Sequence, residues 1–425
     1  MEGMELDPNP DDLKLSRIPA KFVLKSHQKR HVCNEEDDDD EKEGSESELD
    51  WLPLDLKMAI LIRLPGKSLM NVKLVSKMYS SIIRSRGFID SYYAMSSTQS
   101  RFVVALSNGI FNTIEQKLIF LFSFSHEEES SSLVPNFDMA IPSANFSFLS
   151  GSCDSLHGFL SVTSDYPHML CNPITEQVIK LPMHTRYVGY DPIGDDHKAL
   201  SVESRNRNQH LEHKVLTLGV QGWRHIQDTI SPYSPVSSGV CINGFVYYGA
   251  YSPDRPMNPG VVCFHVRSEK LSYVKAPTDV VFYGSDSIFI DYKGKLASIV
   301  RDPCGRFRSF DLWILEDLQK HEWSKQTCLF PPHLWDSVGD INLTFTGTNL
   351  AGEIIIAPKL LSHHVRPFYI FFYNVAKNYI RRVRLLGIAD DPEFRRSYGF
   401  LDKGGCHVRI VPQHFESIAF FKDPL

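Results

Sequence analysis

Residues 261–277 read VVCFHVRSEKLSYVKAP, and three other stretches follow the same grammar: HMLCNPITEQVIKLP at 168–182, FDLWILEDLQKHEWSKQ at 310–326 and IFFYNVAKNYIRRVRL at 370–385. Each opens with an apolar run, turns on polar residues and returns with apolar and polar side chains alternating. Alternation of period two is the mark of a strand with one face buried. A glycine-marked strand precedes each pair, as in GFLSV (158–162), GFVYYGA (244–250), SIFIDYKGKLASIV (287–300) and EIIIAP (353–358). The glycines Gly244, Gly294 and Gly352 lie 50 and 58 residues apart. Gly158 stands 86 residues before Gly244, which leaves room for two units, the intervening one around Tyr187–Ile226.

Antiparallel modules of four strands recurring every 40–50 residues or so have the spacing of β-propeller blades. Further short strands, RFVVAL (101–106) and HKVLTLGV (213–220), extend the pattern, so residues 100–425 are expected to form a β-propeller-like domain of about six blades, with seven the neighbouring count. Radial closure would protect the strand edges that an open sheet of this size exposes. A pair of β-sandwiches fits the strands but not the period. The fold class expected is mainly β, and the helical candidates within this region are only Glu316–Lys320 and Asp391–Arg396. Trp223, Trp313 and Trp323 are expected to pack between blades, with Trp335 of FPPHLWD available on a loop.

Upstream the period changes. In residues 49–95 the apolar positions Leu52, Leu56, Ile60 and Leu64 recur every fourth residue, and Leu61 widens the stripe. Pro53 suits a first helical turn and Pro65-Gly66 a helix stop. A second helical stretch is expected from Ser68, a candidate N-cap, with Leu69, Val72, Val75, Tyr79, Ile82 and Ile83 as its apolar face. A break follows at Arg86-Gly87. Two or three helices of this size have more apolar positions than they can bury among themselves, so a partner or the neighbouring domain must cover them.

Charge is spread unevenly along the chain. The formal charge is −6, but Asn34–Glu48 alone holds ten acids and one lysine, while Lys14–His31 holds six bases and no acid. Residues 1–48 read as a disordered acidic tail, because self-repelling charge without apolar surface cannot repay ordering entropy. The remainder is close to neutral with no dense basic stripe, which excludes nucleic acid as the expected partner. Apolar runs such as Leu118–Phe122 and Tyr369–Tyr373 are too short to span a bilayer, so no membrane partner is expected. The cysteines at 33, 153, 171, 241, 263, 304, 328 and 406 form no CxxC pair and no zinc-finger spacing with histidine. No metal or cofactor is expected. Reduced thiols in the cytoplasm, the nucleus or both are the simplest reading.

The segment LPLDLKMAILIRLPGKSLMNVKLVSKMYSSIIRSRGFIDSYY (52–93) resembles the F-box family. The elements that carry the resemblance are Leu52-Pro53, Leu64-Pro65, Lys67-Ser68-Leu69, Val75-Ser76-Lys77 and Tyr79, in order and at close to the family's spacing. Three positions depart: Ala59 where the family usually has Glu, Asn71 where a basic residue is frequent, and Tyr79 for the common Trp. The rest of the chain is similar to the F-box-associated domains found mainly in plants, through phrases such as GSCDSLHGFLSV (151–162), CNPITEQVIKLP (171–182), YVGYDPIGDDHKALSV (187–202), VLTLGVQGWRHI (215–226) and DLWILED (311–317).

The resemblance implies a non-catalytic substrate receptor of an SCF-type ubiquitin ligase. Its helices would dock on a Skp-type adaptor and through it a cullin, using Leu52, Pro53, Leu56, Ile60, Leu61, Leu64, Pro65, Leu69, Val72, Val75 and Tyr79. The β domain would hold an unidentified substrate protein, raising the effective concentration of its acceptor lysine while other subunits do the chemistry. A scaffold without ubiquitin transfer and a propeller enzyme are the alternatives. For the enzyme, Asp191, Asp195 and Asp196 of GYDPIGDDH and His363-His364 are the candidate groups. The acids sit in a Pro/Gly turn, where Asp bonds the local backbone. Adjacent histidines on a strand point to opposite faces. Neither GxSxG, HExxH nor P-loop spacing occurs.

Overall fold

A computed structural model describes residues 51–99, 101–107, 118–125, 130–142, 153–162, 168–182, 184–204, 211–226, 234–252, 255–281, 288–301, 308–331, 342–362, 364–400 and 406–421. The chain divides into a unit Met1–Leu52, of which Trp51 and Leu52 are described, and a unit Pro53–Leu425 that holds everything below. The expected tail over 1–48, the loop tryptophan Trp335 and His363 lie outside the described residues.

Four helices open the second unit: α1 (Leu54–Leu61), α2 (Gly66–Val75), α3 (Lys77–Arg84) and α4 (Arg86–Ser96). Three local expectations are corrected. Ser68 is not an N-cap; α2 begins two residues earlier at Gly66, behind Pro65, whose φ of −56° suits entry to a helix and whose missing N–H costs nothing there. Pro53 likewise precedes α1 instead of lying in its first turn. The stretch from 68 to 83 is not one helix, because Ser76 adopts extended angles (φ −150°, ψ 154°) and its side chain accepts the Tyr79 N–H, capping α3. Ser85 repeats the device for α4 through the Phe88 N–H. Polar capping side chains interrupt an apolar periodicity that would otherwise run on.

Beyond the helices lies a six-bladed β-propeller of antiparallel four-stranded sheets. Blades 2 to 6 take their strands in sequence from residues 153–180, 185–225, 234–275, 288–329 and 343–385. Blade 1 is composite: the strands Arg101–Ser107, Leu118–Ser125 and Asn136–Pro142 are completed by His407–Val411, which pairs with the first of them from Val103↔Val411 to Ser107↔His407. The last strand of the chain thus closes the ring. A two-residue strand, Ser132–Leu133, adds parallel to the outer edge of blade 6.

The repeat seen in the sequence is a repeat of turn chemistry. The first hairpin of blades 2, 4 and 5 turns on His157-Gly158, Asn243-Gly244 and Lys293-Gly294, with φ of 49° and 82°, 49° and 83°, and 54° and 79°. Two consecutive left-handed residues make the turn whose twist matches paired strands. The last hairpin of blades 2, 4, 5 and 6 ends on Glu176, Glu269, His321 and Asn378, all at positive φ. Glu316–Lys320 is therefore no helix; it spans a strand end and this turn. The other helical candidate forms as α5 (Pro392–Ser397), with Asp391 accepting the N–H groups of Glu393 and Phe394.

Six apolar clusters fill the six interfaces between blades. Phe102, Phe122, Phe124, Ile370 and Phe372 join blades 1 and 6, for example, and Tyr187, Val215, Tyr248 and Phe264 join blades 3 and 4. Trp313 and Trp323 pack on the cluster between blades 4 and 5. Cys171, Cys263, Cys328 and Cys406 are buried and Cys241 is half-buried, and burial pushes the Cys263 thiol up to about 12 and that of Cys328 to about 11.

Candidate functional site

The helices carry two kinds of apolar surface. Leu61, Leu69, Ile82, Ile83, Phe88 and Tyr92 are buried in one cluster, which Met58, Leu64, Val72 and Tyr79 flank. On the outside, Leu54 is 58% exposed, Leu56 48% and Ile60 50% on α1, with Leu74 at 84% and Val75 at 75% at the end of α2. Burying such side chains is worth roughly 1.5–3 kcal/mol each, so five left in water form a surface that a partner can exploit.

The sequence-derived docking residues divide accordingly. Leu56, Ile60 and Val75 are exposed, with the exposed prolines Pro53 and Pro65. Leu52, Leu64, Val72 and Tyr79 are half-buried, while Leu61 and Leu69 are buried in the helices' own core. Two exposed leucines were not expected, Leu54 and Leu74. The signal was present: both fall off the stripe of their helix, and an apolar residue off the stripe implies a second apolar face. The helical segment as a whole is basic. Between residues 51 and 99 stand Lys57, Lys67, Lys73, Lys77, Arg63, Arg84 and Arg86 against Asp55 and Asp90 alone.

A different side of the same helices is fastened to the propeller. Gly66 lies against Ile174 of blade 2, where an added Cβ would stand 2.7 Å from Ile174 Cγ2. Lys67 Nζ donates to the carbonyls of Phe137 and Asp138 at 2.8 and 2.7 Å. It faces the Asp138 carboxyl, which burial pushes up to about 6 although Lys67 pulls the other way. Arg86 pairs with Asp195 at 3.2 Å, and the Tyr93 ring packs at a tilt of 37° against His157 with centroids 3.8 Å apart.

The densest tie comes from the end of the chain. One Glu416 oxygen accepts from Tyr92 Oη at 2.8 Å and from the Gly66 N–H at 3.4 Å, and the other pairs with Arg101. Burial raises the Tyr92 phenol to about 12, which keeps it a neutral donor. The Glu416 N–H donates to Ser96 Oγ at 2.7 Å, Ile418 is buried in the helical cluster, and Lys73 Nζ sits 3.8 Å over the Phe420 ring. Asn172 and Gln177 of blade 2 hold this terminal segment through the carbonyls of Ser417, Ala419 and Phe421. No sequence signal pointed to residues 415–421, since they form neither helix nor paired strand.

Two of the groups weighed for catalysis, Asp191 and Asp195, are engaged within the fold. Asp191 Oδ1 accepts the Ile193 N–H inside its turn, and Asp195 bonds Tyr190 Oη and Arg86. A cavity beside blade 3 is lined by His184, Ser201, Glu203, Lys214, Trp223 and His225, and its carboxylate is matched by Lys214 at 3.2 Å and Ser201 at 3.2 Å. Among the described residues no three His, Cys, Asp or Glu side chains are placed to hold a metal ion, and no helix is long and apolar enough to cross a membrane.

Comparison with known proteins agrees with this architecture. Residues 49–91 match the F-box domain and residues 103–414 match the F-box associated beta propeller domain. At1g32660 of Arabidopsis thaliana is 56% identical over 430 residues, covering 99% of this chain and 95% of its own. The F-box protein At1g30790 of the same plant is 51% identical, covering 88% of this chain and 99% of its own, and the F-box protein DOR, also of Arabidopsis thaliana, is 34% identical over 87% and 95%. The chain belongs to the F-box proteins that carry an F-box-associated β-propeller. Membership supports a substrate-recognition role in SCF-type ubiquitin ligases in general, in a family whose members are typically non-catalytic adaptors.

Proposed function

We propose that this chain is the substrate receptor of an SCF-type ubiquitin ligase. Its helices dock on a Skp-type adaptor that bridges to a cullin, and its propeller binds a target protein. The observation that carries the reading is the bare apolar surface of Leu54, Leu56, Ile60, Leu74 and Val75 on helices otherwise anchored to their own propeller. The net positive charge of residues 51–99 suits an adaptor with an acidic rim, which would speed encounter more than it tightens binding. The chain contributes no bond chemistry of its own; it holds a lysine-bearing target near the ubiquitin carrier. The described thiols suit the cytoplasm or nucleus as its residence, which a fluorescent fusion would reveal.

The test is affinity for a purified Skp-type adaptor. Leu56→Ala combined with Ile60→Ala should weaken binding about tenfold or more while leaving the circular dichroism of the propeller intact. Undiminished binding would remove these helices from the interface and the receptor reading with them.

A further inference from the structure

We infer that the F-box of this chain is not an autonomous module: residues 415–421 are the last piece of its core, and adaptor docking depends on them. The inference rests on the receptor reading for its functional consequence, but its structural part stands alone.

Of the eight buried apolar side chains in the helical cluster, Leu61, Leu69, Ile82, Ile83, Phe88 and Tyr92 come from the helices, while Ile174 and Ile418 come from blade 2 and the terminal segment. Four helices totalling under 50 residues bury too little by themselves to be stable. The polar ties are just as dependent on distant chain. Tyr92, Gly66 and Ser96, from α4, α2 and α4 again, all converge on Glu416, so this single residue holds the first turn of α2 against the body of α4. Lys73, in the last turns of α2, reaches the Phe420 ring.

The segment is in turn held in place by the finished propeller. The His414 N–H donates to the Arg101 carbonyl just beyond the ring-closing strand, and Asn172 and Gln177 fix the residues that follow. The order of dependence is therefore closure of the ring, seating of residues 415–421, and completion of the helical core. The bare surface on α1 and α2 is then presented only by a chain whose propeller has closed. This dependence lies outside the family match to the propeller, which stops at residue 414.

The experiment compares the full chain with a chain ending at His414, and with the full-length double variant Glu416→Ala, Ile418→Ala in case the truncation is insoluble. Hydrogen exchange followed by mass spectrometry should show the amides of residues 54–96 losing protection at least tenfold, while those of blades 4 and 5 keep theirs. Affinity for a purified Skp-type adaptor should fall at least tenfold in the same variants. Helical amides as protected as in the parent chain would overturn the inference, as would loss of protection spread equally over blades 4 and 5. If the parent chain itself fails to bind the adaptor, the receptor reading falls, and the exchange data still decide whether the terminal segment completes the helical core.

Discussion

Leu69 and Leu74 lie five residues apart on α2; the first is fully buried and the second is 84% exposed. The contrast holds across the whole helical unit, with one side sealed by Phe88, Tyr92, Ile174 and Ile418 and another left open at Leu54, Leu56 and Ile60. Leucine and isoleucine stand on both sides, so these residue types do not separate the two. What separates them is who supplies the covering atoms: the chain itself for one and, in the proposed receptor, a second protein for the other. A perturbation that acts on folding should therefore strike the sealed side and the propeller beneath it, and one that acts on association should strike the open side.

The largest effect should come from acid, and it should originate in the propeller, with the helices that depend on it following. Burial holds His168, His197, His213 and His414 down at about 4, from an ordinary value near 6.5. The folded state thus binds fewer protons than the unfolded chain between those values. The stability involved is present in full above about pH 6.5 and is lost as pH falls toward 4. Each group contributes a slope of about 1.4 kcal/mol per pH unit in that window. The four together approach the net stability of an ordinary domain within about two units. No histidine lies between residues 51 and 99. Urea melts at pH 7.5, 6.0 and 5.0 should show the midpoint of the β signal dropping steeply with acid. A flat midpoint would mean that these imidazoles are not buried neutral.

The next effect tests the sealed side. Phe88 is fully buried between α4 and the rest of the helical cluster. Phe88→Ala should cost about 3–5 kcal/mol, the lost transfer energy plus a cavity that the fixed helices cannot collapse into. Because the propeller clusters are separate from this one, the loss should appear as early proteolysis within residues 54–96 ahead of the main melt. A single cooperative melt shifted as a whole would show instead that helices and propeller unfold together.

How far the molecule could be read in advance follows from the same physics. Blades 2 to 6 were legible because each is local: a hairpin needs a left-handed pair such as Asn243-Gly244 and alternating side chains within some 40 residues, all of it written in one stretch. The position of α5 was legible for the like reason, a capping Asp391 before a proline. The break between α2 and α3 was missed because the apolar period of Val72, Val75, Tyr79 and Ile82 runs on across Ser76, which caps α3, and periodicity alone does not register the interruption. The docking residues were half legible. A stripe of period 3.6 reveals that a face is apolar, not whether Leu61 or Leu56 will be the one covered. The part that could not be read was non-local: Glu416 meets Gly66 and Tyr92 across 350 and 324 residues, and no spacing rule connects them.

The smallest effect on stability should be the most informative about function. Leu74 touches little of its own chain at 84% exposure, so Leu74→Ala should change the free energy of unfolding by no more than about 0.5 kcal/mol, the range of ordinary surface substitutions. If α2 ends against an adaptor, the same change removes a side chain that becomes desolvated only in the complex, and binding should weaken by about 1–2 kcal/mol, roughly five- to thirtyfold. The effect should lie in faster dissociation, since no charge that steers encounter has been altered. Surface plasmon resonance against a purified Skp-type adaptor measures both rates. An unchanged dissociation rate would mean that Leu74 is covered by nothing, and the open face would then end at α1. A stability loss of several kcal/mol would mean that Leu74 belongs to the sealed side after all.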